Sequence, residues 1–255
     1  PQLTKLFGIP ILVIPFMLGI VLMMLAIIIN HLGLRLDPMS LDSQNLQESG
    51  ESNKQVHAKR TMYEIFSTKP VILASSVMAI SWLGMTVVMQ VTPLFMNYEG
   101  YAVPIISRAV MIHSLGMFVF SSFTGWLTGS IGRHLVVGIG IVLLLISGIC
   151  GCYANTLITL YIAVFLLGVG WNFCYIAGSA MLSDELHADE RGRAQGVSEA
   201  IIGIIAAIGS VTSGLIYSNY DYFGSNFIVI VFSLLLMILF MYLRESKNEP
   251  IASNL

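Results

Sequence analysis

The chain has 255 residues, 56% of them hydrophobic and only 10% charged, with a formal net charge of −2. A soluble domain carries about 25% charged residues, so a chain this apolar cannot cover a surface in water. Its charge balance gives no basis for a nucleic-acid partner.

Taken in chain order, the first apolar stretch is 7–30, which holds no Asp, Glu, Lys or Arg. It exceeds the roughly 7–15 residues of a signal-peptide core, and no small-residue cleavage site follows it. It reads as a helix over 8–29 that spans a bilayer, which takes about 20 apolar residues. Because the chain starts at Pro1, residues are expected upstream. A polar stretch over 31–69 follows, acidic and Ser/Asn/Gln-rich first and basic later. Within it Thr61-Met-Tyr-Glu64 fits a capping box and predicts a short surface helix before Pro70.

Five further charge-free tracts follow: 70–98, 109–132, 135–183, 200–220 and 222–243. The longest, 135–183, holds two spans broken near 153–155. The predicted helices are 71–95, 103–126, 134–152, 156–182, 193–217 and 223–243. The links between them are short, so consecutive helices are antiparallel neighbours. With 8–29 this makes seven spans. Of the 12 Lys and Arg, ten (Arg35, Lys54, Lys59, Arg60, Lys69, Arg133, Arg191, Arg193, Arg244 and Lys247) fall on one side, and only Lys5 and Arg108 on the other. The ten-charge side, with the C-terminus, is expected to be cytoplasmic.

Residue patterns add a resemblance. Gly125-Trp-Leu-Thr-Gly-Ser-Ile-Gly132-Arg133 is similar to the loop signature Gly-x-x-x-Asp-Arg-x-Gly-Arg of the major facilitator superfamily. Gly125, Gly132 and Arg133 match, while Gly129 and Ser130 replace its Asp and first Arg. Gly170-Trp-Asn-Phe173 and Glu190-Arg-Gly-Arg-Ala-Gln-Gly196 resemble the tenth helix and the start of the eleventh. Thr92-Pro-Leu and His113-Ser-Leu-Gly-Met117 fit the seventh and eighth. The resemblance implies an all-α integral membrane fold of seven transmembrane helices, six of them forming the C-terminal bundle. Residues 1–30 would be the sixth helix of the family plan, 31–69 the cytoplasmic linker, 70–243 the six-helix bundle and 244–255 a cytoplasmic tail. It further implies transport of a small molecule across the plasma membrane by alternating access, with a missing N-terminal half as partner. The chain would then be a fragment or a partial gene product.

Ionisable groups inside a bilayer are costly and each needs an explanation. Glu199 lies in a seam of Gly192, Gly196, Gly203, Ala206, Ser210, Ser213 and Tyr217, and either carries a coupling proton or pairs with Arg191 or Arg193 at an inner gate. His113, near mid-helix, either carries a proton or fastens a neighbouring helix. Arg108 either anchors at the outer rim or attracts an anionic substrate. Trp82, Thr86 and Gln90 recur every four residues, and Asn172, Tyr175 and Ser179 share a face beside Trp171. Trp82, Gln90, Arg108, His113, Trp171 and Asn172 are the candidate cavity lining, and Gly125, Gly132, Arg133, Arg191 and Arg193 the candidate inner turn and gate. The acidic group Asp184, Glu185, His187, Asp189 and Glu190 reads as a solvated charged loop rather than a catalytic centre. Cys150, Cys152 and Cys174 read as small apolar residues, and neither metal nor cofactor is expected. A transporter-derived receptor or sensor, and a membrane-embedded enzyme, are the alternatives.

Overall fold

The structure is a computed structural model that describes residues 14–33 and 60–245. The start of the first predicted span, the polar stretch 34–59 and the tail 246–255 lie outside the described residues. The chain divides into two units, Pro1–Lys59 and Arg60–Leu255. In the first, α1 (Ile14–Gly33) is a 20-residue helix without a charged residue.

The second unit opens with α2 (Met62–Phe66). Its capping box forms as the sequence predicts: the Thr61 amide donates to Glu64 Oε2 (2.7 Å) and the Glu64 amide to Thr61 Oγ1 (3.3 Å). The fully buried Ile65 holds this short helix down. Then α3 (Lys69–Tyr98) carries Pro70 in its first turn, where a missing N–H costs nothing. The expected helix over 103–126 is instead two helices, α4 (Val103–Phe118) and α5 (Ser121–Ser130), broken at Val119–Phe120. Gly132, at φ 89°, makes the sharp turn into α6 (Arg133–Cys152); this is a conformation that glycine adopts freely. Thr156 caps α7 (Leu157–Asp184) by accepting the Thr159 amide at 3.2 Å.

The last two predicted helices form one helical stretch, α8 (Ala188–Glu245), interrupted only by non-helical torsions at Asp221 (φ 54°, ψ −162°). By length and composition, therefore, six segments among the described residues can cross a membrane where seven spans were expected, because the last two run together into one segment of 55 residues. Straight, that segment would be about 80 Å long, against a hydrocarbon core of about 30 Å. It is not straight. Before Asp221, Gly209 lies against Leu83 and Tyr217 stacks on Tyr98. After it, Tyr222 stacks on Phe95 (4.3 Å between ring centres) and Val229 lies beside Gly84. The first arm thus runs along α3 and the second runs back. The second arm also descends α6, meeting Gly148 through Ile230 and His134 through Phe240.

α7 is the centre of the unit and packs on α3, α4, α5 and α6. Glycines permit the approach, as is usual where helices pack without a water-driven force. A Cβ on Gly140 would stand 2.7 Å from Cys174 Sγ, and one on Gly178 2.8 Å from Met78. Cys174 is fully buried and all three cysteines are free thiols.

Candidate functional site

Trp171 and Tyr175 are four residues apart on α7, so their rings lie one above the other; the centres are 5.0 Å apart and nearly parallel. Trp82 of α3 meets Trp171 edge-on at 5.1 Å and Tyr175 at 5.5 Å, and Phe118 at the end of α4 meets Trp171 at 6.4 Å. The Tyr175 hydroxyl donates to Glu199 Oε1 of α8 at 2.5 Å, and Gln195 Nε2 donates to the same oxygen at 3.1 Å. Trp82, Tyr175 and Glu199 are half-buried, so the cluster has an open side. Trp171 is only 5% exposed, and its Nε1 finds no acceptor among the described residues. Counted from the charged helix ends, this group lies about 14–20 Å into the unit.

A second polar group lies against the other side of α7. The His113 Nδ1–H donates to the Val164 carbonyl (2.8 Å). Asn172, 1% exposed, donates through Nδ2 to the Met117 carbonyl (2.6 Å) and Ser121 Oγ (2.9 Å), and accepts from Thr124 Oγ1 (2.6 Å). Those partners bracket the break between α4 and α5. A side chain inserted at a carbonyl is a known cause of helix kinks, which accounts for the interruption the periodicity did not show. Asn172 and Tyr175 were expected to share a face and do not share neighbours. Three residues differ by about 60° around the axis, and a helix enclosed on all sides meets a different neighbour within that angle.

Charged groups gather where α3, α6 and α8 begin and α5 and α7 end. Arg133 pairs with Asp184. Each sits at a helix end that disfavours its charge, and the pairing offsets both. Arg60 grips Glu190 with Nε on Oε1 (2.9 Å) and Nη2 on Oε2, and also donates to the Glu185 carbonyl (3.1 Å). The Glu190 bond raises the Arg60 pKa above its ordinary value. Glu190 is 3% exposed, which corrects the reading of 184–190 as a wholly solvated loop: a bidentate arginine lets a carboxylate be buried. Among the described residues, Arg60→Ala would leave Glu190 only the hydrogen bond from the His187 amide (3.1 Å). A hydrogen bond to a charged group is worth about 1.5–3 kcal/mol, and the one-third exposure of Arg60 places this one at the lower end. Thermal unfolding in detergent is expected to start about 3–6 °C lower, with part of the loss recovered when Glu190→Gln is added.

The remaining candidates lie apart from the aromatic cluster. Gln90, Arg108, Gly125, Arg191 and Arg193 are exposed, and Thr86 and Ser179 half-buried. Glu199 bonds to Tyr175 and Gln195, not to Arg191 or Arg193. Arg60, Phe118, Gln195 and Asp184 were missed as members of these groups. The spacing of Gln195 and Glu199 was a readable signal, since side chains four apart on a helix meet; the other pairings join distant parts of the chain. Among the described residues no group of three His, Cys, Asp or Glu could hold a metal ion.

Residues 74–254 match the family model described as Major Facilitator Superfamily. An uncharacterized MFS-type transporter, YdeG, of Bacillus subtilis is 29% identical over 232 residues, covering 90% of this chain and 54% of the relative. Another from that organism, YddS, is 27% identical over 245 residues, 95% of this chain and 56% of the relative. The riboflavin transporter RfnT of Brucella anthropi is 32% identical over 161 residues, 63% of this chain and 40% of the relative. The chain spans about half the length of the first two.

Proposed function

The chain belongs to the major facilitator superfamily, and from that premise we propose that it forms one bundle of a secondary transporter working by alternating access. It is a multi-pass membrane protein, and the relatives it matches are named as transporters, not enzymes. The observation that carries the proposal is the Trp82–Trp171–Tyr175–Glu199 group, an acid among aromatic rings about 14–20 Å from the helix ends, near the level where such proteins hold their cargo. In this reading Trp82 and Trp171 contact a small-molecule substrate and Glu199 exchanges a proton. His113 and Asn172 fasten α4 and α5 to α7, and Arg108 and Gln90 lie at the outer mouth.

Two arms of α8, meeting at Asp221, bring the membrane-crossing helices to seven. The Lys/Arg asymmetry supports a cytoplasmic charged end in the plasma membrane. There Gly132, Arg133 and Gly125 form the turn, and Arg191 and Arg193 stand beside the Arg60–Glu190 pair at the inner gate. Alternating access also needs a second bundle. Gly192, Gly196 and Gly203 leave open space along α8, which supports close packing of that bundle beside Glu199.

One relative's name gives riboflavin, a flat aromatic molecule, as its cargo, and flat molecules suit a site walled by indoles. The test is counterflow in liposomes holding the full-length transporter, with radiolabelled riboflavin and a naphthylmethyl ammonium as probes. Preloaded substrate is expected to speed uptake of label severalfold. Saturable binding with no flux would instead mark a receptor.

A further inference from the structure

We propose that Trp82, Trp171, Tyr175 and Glu199 bind the charged head of an aromatic organic cation, an inference that rests on the transporter reading above and narrows its cargo. Four helix segments supply or border this group, and three carry no charge: 70–98, 109–132 and 135–183 hold no Asp, Glu, Lys or Arg. The fourth, 194–220, holds only Glu199. This bundle's side of the site therefore has one fixed negative charge and no fixed positive one, and its complement is a cation. Indole and phenol faces attract cations as well, and Trp82 and Tyr175 stand within 5.5 Å of one another, beside the carboxylate that Tyr175 holds.

Two valences are open. Both protein donors fall on Glu199 Oε1, so among the described residues Oε2 is left for a further donor or cationic group. Among the described residues the indole N–H of Trp171 finds no acceptor, although a buried Trp usually has one. A structural acid would have both oxygens engaged, and a structural Trp its N–H. Here the protein holds the carboxylate by one oxygen and aligns three rings beside it. An organic cation with an aromatic body would lie against the rings and put its charge on Oε2. A simple metal ion would leave the rings unused, and an anion would meet Glu199 unfavourably.

The test uses three ligands with one ring system: trimethyl(2-naphthylmethyl)ammonium, 2-naphthylmethanol and 2-naphthoate. Binding to the purified full-length transporter in detergent is measured by calorimetry at one pH, and flux is measured separately in liposomes. The cation is expected to bind about tenfold more tightly than the alcohol, and the carboxylate most weakly. Glu199→Gln, which keeps the side chain's shape, is expected to remove that tenfold preference, weakening the cation far more than the alcohol. Trp82→Leu is expected to weaken both, the cation more. Equal binding of cation and alcohol, or a preference that survives Glu199→Gln, overturns the proposal even if the transporter moves all three. Cation-selective binding without flux leaves the site standing and overturns the transporter reading instead.

Discussion

Glu199→Gln is expected to abolish substrate accumulation driven by a pH gradient while sparing counterflow at saturating substrate. Glutamine keeps the length and planarity of the side chain. Its amide oxygen can still accept from the Tyr175 hydroxyl and from Gln195, which now bond to Glu199 Oε1. What disappears is the carboxylate proposed above to exchange the proton. One pH unit is worth about 1.36 kcal/mol per proton, a tenfold concentration ratio. A carrier exchanging one proton per cycle could therefore hold about a hundredfold substrate gradient across two units, and the variant about none. The measurement is substrate accumulation in liposomes with an imposed gradient. His113→Gln is the contrast. The His113 Nδ1–H is committed to the Val164 carbonyl at 2.8 Å, so its loss is expected to cost stability and to leave the gradient response in place. Accumulation that persists in Glu199→Gln and vanishes in His113→Gln would exchange the two roles.

The spans themselves were legible because lipid imposes one rule along the whole sequence: charge is excluded over about 20 residues at a time. The same holds for local chemistry. Thr61 and Glu64 are three apart and cap one another, and Gly132 stands where the backbone needs φ 89°. The interruption at Val119–Phe120 was not legible, because it is fixed by Asn172, whose amide reaches Met117 across 55 residues of sequence. The partners of Glu190 and Arg133 were hidden for the same reason. Arg60 and Glu190 are 130 residues apart, and no period relates them. Asp221 was placed in a link between two helices. The structure keeps helical turns up to it on both sides, so one residue makes the reversal. The candidate site was half legible. Periodicity pointed to Trp82 and Tyr175, depth in the bilayer to Trp171, and the cost of a charge in lipid to Glu199, but only tertiary packing groups these four together and turns Asn172 away.

The largest structural effect is expected at the crossing of α4 and α7, where Gly116 and Gly168 each occupy the space that the other's side chain would need. A Cβ on Gly168 would stand 2.5 Å from the His113 carbonyl oxygen and 3.0 Å from the Met117 amide nitrogen; one on Gly116 would stand 2.6 Å from the Phe165 carbonyl oxygen. These are backbone atoms, so no rotamer change relieves the clash and the helices must separate. The separation would also open the His113–Val164 bond and pull Asn172 from Met117, unpairing buried polar groups where no water can replace the partner. Overpacking of a tight core costs about 1–3 kcal/mol, and each buried polar group left unpaired adds about 1–3 kcal/mol. Gly168→Ala is therefore expected to lower the unfolding temperature by about 5–15 °C, and Gly168→Leu to yield no monodisperse protein. Gly138→Ala is the control: nothing lies within 4 Å of a Cβ there, and alanine favours the helix by about 1 kcal/mol. Unfolding followed by size-exclusion chromatography after heating reads all three. A Gly168→Ala protein as stable as Gly138→Ala would mean that the two helices do not cross at this point. Asn172 would then have no reason to lie against the break in α4 and α5.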